Sequence, residues 1–173
     1  MKTIELPKLA NCVTIDVGKH TAVAKWDGTK FPVTHEISWR GAIKDVGLYV
    51  CDMAKKLNNT LSFMSGPTLF DFVQIEGVGF WDSSEKSRTS ASRGDLFTVA
   101  YLVGAYTVVA GKFASEVRVV GATQWKGQLS KEGTAARVKR INGMTYSSEH
   151  ITDAVAMGFS NEEDVWKLKR KLN

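Results

Sequence analysis

The chain has 173 residues, which is enough for one domain with a substantial core and too few for two ordinary domains. Hydrophobic residues make up 43% of the sequence and charged residues 24%, which is the composition of a folded globular protein and argues against disorder. The net charge of +5 favours an anionic partner such as nucleic acid, although many proteins with a similar charge bind none.

The first third of the chain predicts three β-strands in an antiparallel meander. Residues 12–17 are apolar and β-branched and predict a central strand, and residues 21–26 alternate as a second strand does. Asp27-Gly28 is a hairpin signal, and residues 31–39 predict the third strand.

The middle of the chain predicts two helices and two further strands. Residues 42–61 have helical spacing, and residues 70–75 form a continuous apolar strand that is expected to be buried on both faces. A loop is predicted over 77–94, a long apolar helix over 95–110, and a strand over 116–120.

The last third predicts an irregular basic loop over 121–133 and a short basic helix over 134–141. Ser147 or Ser148 is expected to cap the next helix, and residues 162–172 predict a charged helix or tail. No repeat or linker is visible, so residues 1–173 are interpreted as a single domain. Strand hairpins followed by strand–helix–strand crossovers predict an α/β fold with a mixed sheet flanked by helices.

Cys12 and Cys51 have no metal-type or redox-type neighbours, so both are expected to be reduced, buried thiols of a cytoplasmic protein. The first residues have no apolar signal-peptide core, and the apolar stretch 96–110 is too short and too polar to span a bilayer. No membrane partner is predicted.

Three acidic residues occupy positions at which a metal site is plausible. Asp16 and Glu76 each end an apolar strand, and Asp153 lies on a predicted helix with His150 one turn before it. Converging carboxylates are costly to bury unless a cation compensates them, and a divalent metal ion does so. Taken singly, each acid is more simply explained as a turn, loop or first-turn acid, but the three together favour a metal-dependent nuclease.

This pattern resembles the ribonuclease H-like superfamily, and within it the RuvC-type Holliday-junction resolvases, including those of bacteriophages. The matching features are Asp16 in the segment 15–18, Glu76 after the fourth strand, the late helix segment 150–156, and the segment 124–127 before a basic helix. The resemblance implies a ribonuclease H-like mixed five-stranded sheet and an endonuclease that cuts branched DNA as a homodimer.

The resemblance also implies two Mg²⁺ or Mn²⁺ ions in each active site. Asp16 is then expected to bridge both ions, Glu76 to complete one site, and Asp153 with His150 to complete the other. Many family members have Asp where this chain has His150, so its role stays open between metal ligand, acid or base, and a hydrogen-bonded histidine. His20 and His35 have no supporting pattern and are interpreted as surface residues.

Aromatic and basic residues are candidate DNA contacts. Phe80 and Trp81 follow Glu76 and could stack on a base or wedge a junction, although they could equally pack under their own loop. The basic candidates, which could also be merely solvated, are Lys86, Arg88, Arg93, Lys126, Lys131, Arg137, Lys139 and Arg140. The helix 95–110, with Gly104 and Ala105, is the candidate subunit interface.

Other functions remain compatible with parts of the sequence. A nuclease acting on RNA:DNA hybrids or flaps would use the same fold and acids, and a DNA-binding module without catalysis would use only the basic residues. A sugar-kinase-like or actin-like nucleotide-binding protein also opens with a strand, an acid and a glycine. That class needs two such domains, and this chain has room for one.

Overall fold

The computed structural model describes residues 9–78 and 94–161, which form a five-stranded sheet with helices on both faces. The strands within these ranges are β1 (Ala10–Asp16), β2 (His20–Asp27), β3 (Val33–Ser38), β4 (Phe72–Gly77) and β5 (Val117–Gly121). The helices are α1 (Val46–Ser65), α2 (Asp95–Ala110), α3 (Ala122–Lys126), α4 (Lys131–Asn142) and α5 (Glu149–Ser160).

The sheet is mixed, as predicted. Its strand order is β3-β2-β1-β4-β5, with β1 antiparallel to β2 and parallel to β4. Strands β2 and β3 are antiparallel, and β4 and β5 are parallel. The predicted α/β fold, with a mixed five-stranded sheet flanked by helices, is therefore confirmed.

Local capping explains where the helices differ from the predicted bounds. Helix α1 begins four residues later than predicted because the Asp45 side chain accepts a hydrogen bond from the Leu48 amide at 2.9 Å. It ends before Gly66, whose φ of 60° suits glycine. The predicted helix over 95–110 has the bounds of α2.

The prediction of an irregular loop over 121–133 is wrong, because this segment contains α3 and the start of α4. The Gly121 amide donates to Gln124 Oε1 at 2.7 Å, which closes the first turn of α3. The Ser130 side chain accepts from the Gly133 amide at 3.1 Å and caps α4. Such short capped turns carry too little apolar periodicity to be visible in the sequence.

Two hydrophobic clusters cover the two faces of the sheet. Strand residues at odd positions, such as Ile15, pack with α1 and α2, whereas even positions, such as Trp26, pack with α3, α4 and α5. Cys12 is buried in the second cluster, but Cys51 is exposed on α1, so the prediction that both thiols are buried is wrong for Cys51.

No helix within residues 9–78 and 94–161 is long and apolar enough to cross a membrane. The predicted helix or tail over 162–172 lies outside the described residues, as does nearly all of the predicted loop over 77–94.

Candidate active site

Two neighbouring strand ends bring Asp16 and Glu76 to the same edge of the sheet. Ile15 on β1 is the register partner of Ile75 on the parallel strand β4, so the two acids are the next residues along each strand. Asp16 is only 8% exposed, and Glu76 is partly buried. The β-branched runs that form these central strands therefore end in two adjacent carboxylates.

Helix α5 is fixed across β1 by a buried hydroxyl. Thr14 Oγ1 donates to the carbonyl oxygen of Ala154 at 2.7 Å, and Trp26 Nε1 donates to the same hydroxyl at 3.1 Å. Gly158 lies so close to the Trp26 indole that a Cβ atom at this position would overlap the ring. These contacts place the first turn of α5 above the end of β1.

The first turn of α5 contributes the other two candidate side chains. Ser148 caps the helix, with its Oγ accepting from the Ile151 amide at 3.4 Å. His150 Nδ1 donates to Asp16 Oδ2 at 2.8 Å. One turn later, Asp153 Oδ2 accepts from Lys126 Nζ at 2.9 Å, and both side chains are largely buried.

The acids perturb one another's protonation. Burial, followed by the negative charge of Asp16 and a hydrogen bond with it, raises the pKa of Glu76 to about 9. Burial also raises the pKa of Asp153, and the Lys126 ammonium group partly opposes that effect. The hydrogen bond to Asp16 raises the pKa of His150. The cluster therefore has more carboxylates than its own cations compensate.

The donor set suits a hard divalent cation in kind. Carboxylate oxygens are the ligands that Mg²⁺ and Mn²⁺ prefer, and Asp16 and Glu76 place such oxygens at neighbouring strand ends. Within residues 9–78 and 94–161, however, no three His, Cys, Asp or Glu side chains surround a common point as a metal ion requires. His150 engages Asp16 through Oδ2, and Lys126 engages Asp153 through Oδ2, so each contact occupies one oxygen of its carboxylate.

The basic candidates occupy different places. Lys126 lies inside the site on Asp153, and Lys131 Nζ forms an ion pair with exposed Glu149 at 2.7 Å. On α4, Lys139 and Arg140 are exposed and Arg137 is partly buried. The other candidate DNA contacts lie outside the described residues; these are Phe80, Trp81, Lys86, Arg88 and Arg93.

His20 is exposed, as expected, but it also contacts the candidate site. Its ring stacks on that of His150, with centroids 5.7 Å apart and an interplanar angle of 22°. Glu36 lies behind it, 3.6 Å from His20 Nδ1. The available signal was the position of His20 at the start of the strand that follows Asp16. His35 is exposed, as expected.

Solved structures of other proteins have a similar fold. The structure of Thermus thermophilus RuvC aligns with a TM-score of 0.61 and 18% identity, covering 91% of this chain and 95% of that one. T. thermophilus RuvC in complex with a Holliday junction substrate aligns with a TM-score of 0.62, the same identity and the same coverage.

The yeast mitochondrial Holliday junction resolvase Ydc2 aligns with a TM-score of 0.50 and 13% identity, covering 95% of this chain and 83% of that one. No protein-family model matches the chain, and no curated protein matches it in sequence. The chain therefore has the fold of the RuvC-type resolvases.

Proposed function

We propose that this protein is a divalent-metal-dependent endonuclease that resolves four-way or otherwise branched DNA junctions as a homodimer. The observation that carries the proposal is the meeting of Asp16, Glu76, Asp153 and His150 at one edge of a RuvC-like sheet. One fold can have many functions, so the proposal is based on the site, where acidic side chains group at the strand ends.

Asp16, Glu76, Asp153 and His150 are the residues that would hold the metal ions, Mg²⁺ or Mn²⁺. Such ions supply an activated water and stabilise the leaving oxygen in phosphodiester hydrolysis. In the metal-free protein, other side chains of the site contact two of these carboxylates. Lys126 neutralises Asp153, and His150 forms a hydrogen bond with Asp16.

Nucleic acid is the partner that the charge distribution favours. The chain is net basic, and Lys139 and Arg140 lie exposed on α4, which packs beside α5. A positive surface next to a cluster of carboxylates can attract a phosphate backbone to the place where it is cut. We assign Arg137 and Lys131 to the same contact surface.

The dimer is proposed from one face of α2. Phe97, Tyr101 and Val108 are 63%, 64% and 71% exposed, and with Gly104 they follow helical spacing along one side. An exposed apolar stripe on a helix marks an interaction surface. A second copy of the chain is the occupant that a four-way junction requires, because such a junction presents two symmetric sites for cleavage.

The test is cleavage of labelled DNA by the wild-type protein and two variants. The substrates are a four-way junction, a duplex, a flap and an RNA:DNA hybrid, each with Mg²⁺, Mn²⁺ or EDTA. We expect cut junction only with metal, and we expect Asp16→Asn to lower the rate by about 100-fold or more while junction binding persists, since a metal ion contributes several kcal/mol.

Asp52→Asn is the matched control, because Asp52 is a carboxylate on α1 that pairs with Lys56 away from the site. It is expected to cleave at the wild-type rate. Preferential cutting of the hybrid or the flap would change the substrate within the same chemistry. Metal-independent binding with no cleavage of any substrate would leave a DNA-binding module.

A further inference from the structure

A row of four side chains crosses the candidate site from the edge of the sheet to its centre. Glu36 on β3 contacts His20 on β2, His20 stacks on His150 of α5, and His150 donates to Asp16 on β1. The first two residues have no place in the acid cluster itself. They nevertheless connect the edge strand of the sheet to the His150 ring.

The backbone beneath His20 is fixed by neighbouring elements. His20 pairs with Ser38 on β3, and the Trp39 amide donates to the carbonyl oxygen of Lys19 at 3.0 Å. In the next residue, Thr21 Oγ1 donates to the carbonyl oxygen of Gly18 at 2.9 Å and lies 3.0 Å from the buried Tyr106 hydroxyl. The imidazole of His20 therefore projects from a rigid strand start.

Register explains why Glu36 reaches His20. Ala22 is the register partner of Glu36, so the glutamate lies diagonally across from His20 on the same face of the sheet. That face is the one on which α5 packs. The exposed fractions of the side chains decrease from His20 inward, from 49% at His20 to 33% at His150 and 11% at Asp16, and Glu36 is 32% exposed.

We propose that His20, held by Glu36, is a positioning residue for His150. The near-parallel stack restrains the orientation of the His150 ring, so that Nδ1 points to Asp16 and Nε2 keeps one direction in the site. A ring at the start of a helix that is one-third exposed would otherwise sample several rotamers. This inference rests on the proposed function only for its effect on cleavage, because the orientation of His150 is a property of the protein alone.

The first measurement uses metal-free protein without DNA. Correlation spectra between imidazole protons and nitrogens report the environment of each histidine ring. In His20→Ala we expect the His150 resonances to shift and its Nδ1 hydrogen-bond signature to weaken, because the stacked ring is gone. In His20→Phe, which keeps a flat ring at this position, we expect the His150 resonances to stay near those of the wild type.

The second measurement is single-turnover and steady-state cleavage of the four-way junction. We expect His20→Ala to lower kcat roughly tenfold with KM changed by no more than about twofold, because misplacing a reacting group costs rate rather than binding. His20→Phe is expected to recover most of that loss. Glu36→Ala is expected to fall between the wild type and His20→Ala.

His35→Ala is the matched control, since His35 is the register partner of Val23 and shares the opposite face of the sheet. It is expected to change neither the His150 resonances nor kcat. Unchanged His150 resonances in His20→Ala would overturn the proposal. A raised KM with unchanged kcat would also overturn it, by making His20 a DNA contact. If the wild type cuts no substrate, the proposed function fails, while the spectra still decide the role of His20.

Discussion

At the scale of single residues, Lys126 has two effects in the site. Its ammonium group compensates the largely buried carboxylate of Asp153, and it opposes part of the rise in the pKa of Glu76 that burial and the charge of Asp16 cause. A buried carboxylate without such a partner is strongly destabilising. The lysine therefore reduces the unfavourable free energy of burying these acids in the metal-free protein. The raised pKa of Glu76 shows that part of this unfavourable free energy remains.

The raised pKa of Glu76 predicts that the stability of the protein depends on pH. The pKa of Glu76 is about 9 in the folded protein and near its ordinary value of 4.5 in the unfolded chain. The folded state therefore binds more protons between pH 4.5 and 9, so the free energy of unfolding falls as the pH rises through this window. The raised pKa values of Asp153 and His150 act in the same direction.

Glu76→Gln should remove most of this dependence, because an amide can donate to Asp16 without acquiring a charge. At pH 8 in EDTA we expect the variant to be about 1–3 kcal/mol more stable than the wild type. Urea unfolding at pH 5, 6.5 and 8 measures the difference. Glu116→Gln is the control, because the ion pair with Arg118 lowers the pKa of that exposed glutamate and puts its titration below the window. Equal pH slopes in the wild type and Glu76→Gln would contradict the prediction.

At the scale of elements, the site depends on how α5 lies against β1 and β2. The contact is close because Gly158 has no side chain and the Trp26 indole fills the space. The Phe159 ring also packs edge-on against the same indole, with the ring centroids 5.1 Å apart. The distance between helix and sheet is thus set by one small residue facing one large residue.

Gly158→Ala should therefore destabilise the protein by about 1–3 kcal/mol, because the added methyl group forces the helix or the indole to move. Trp26→Phe should also destabilise it, through a smaller ring and the loss of the hydrogen bond to Thr14. Together they should cost at least about 1 kcal/mol less than the sum of the single changes, since the smaller ring makes room for the methyl group. Thermal unfolding of the four proteins measures this coupling, and strict additivity would count against it.

Sequence patterns were sufficient for the elements that run deep in the molecule. The β-branched stretches before Asp16 and Glu76 predicted the two central strands and the acids at their ends, and the apolar stretch 95–110 predicted α2. The resemblance to a known family supplied the sheet type. Patterns of this kind are visible because one residue after another must be apolar in a core.

The contacts across space were not predictable in the same way. Lys126 was expected to contact DNA. Its contact with Asp153 depends on the short helix α3, which has too few residues to show a periodic apolar pattern in the sequence. The stack of His20 on His150 depends on the docking of α5 over β2. The first pair is 27 positions apart and the second is 130 positions apart, and nothing in a single sequence indicates that such distant residues meet.

At the scale of the whole molecule, the two faces of the sheet have different neighbours. Helices α1 and α2 cover one face, while α3, α4 and α5 cover the other and contribute the candidate active-site residues from that side. The exposed stripe on α2 therefore belongs to the layer opposite α5. A partner bound along this stripe would leave the face with α5 available to DNA.

Val108→Glu should therefore separate the proposed dimer into monomers. Placing an unpaired charge in a buried interface should cost at least about 3 kcal/mol, which weakens association by more than about a hundredfold. Sedimentation velocity across a concentration series measures this change. Phe31→Glu is the control, because Phe31 is also exposed and apolar but lies beside β3 at the far edge of the sheet. A wild-type protein that remains monomeric at high concentration would contradict the interface.

The pairing of Thr14 with Ala154 has a consequence for synthesis on the ribosome. Asp16 and Glu76 are made early, whereas the carbonyl group that receives the Thr14 hydroxyl belongs to a residue made 140 positions later. While the nascent chain is still emerging, the first two acids have neither His150 nor Asp153 beside them. A translation product that stops before α5 would thus contain two of the four candidate site residues and would lack the hydrogen bond that holds α5 on β1.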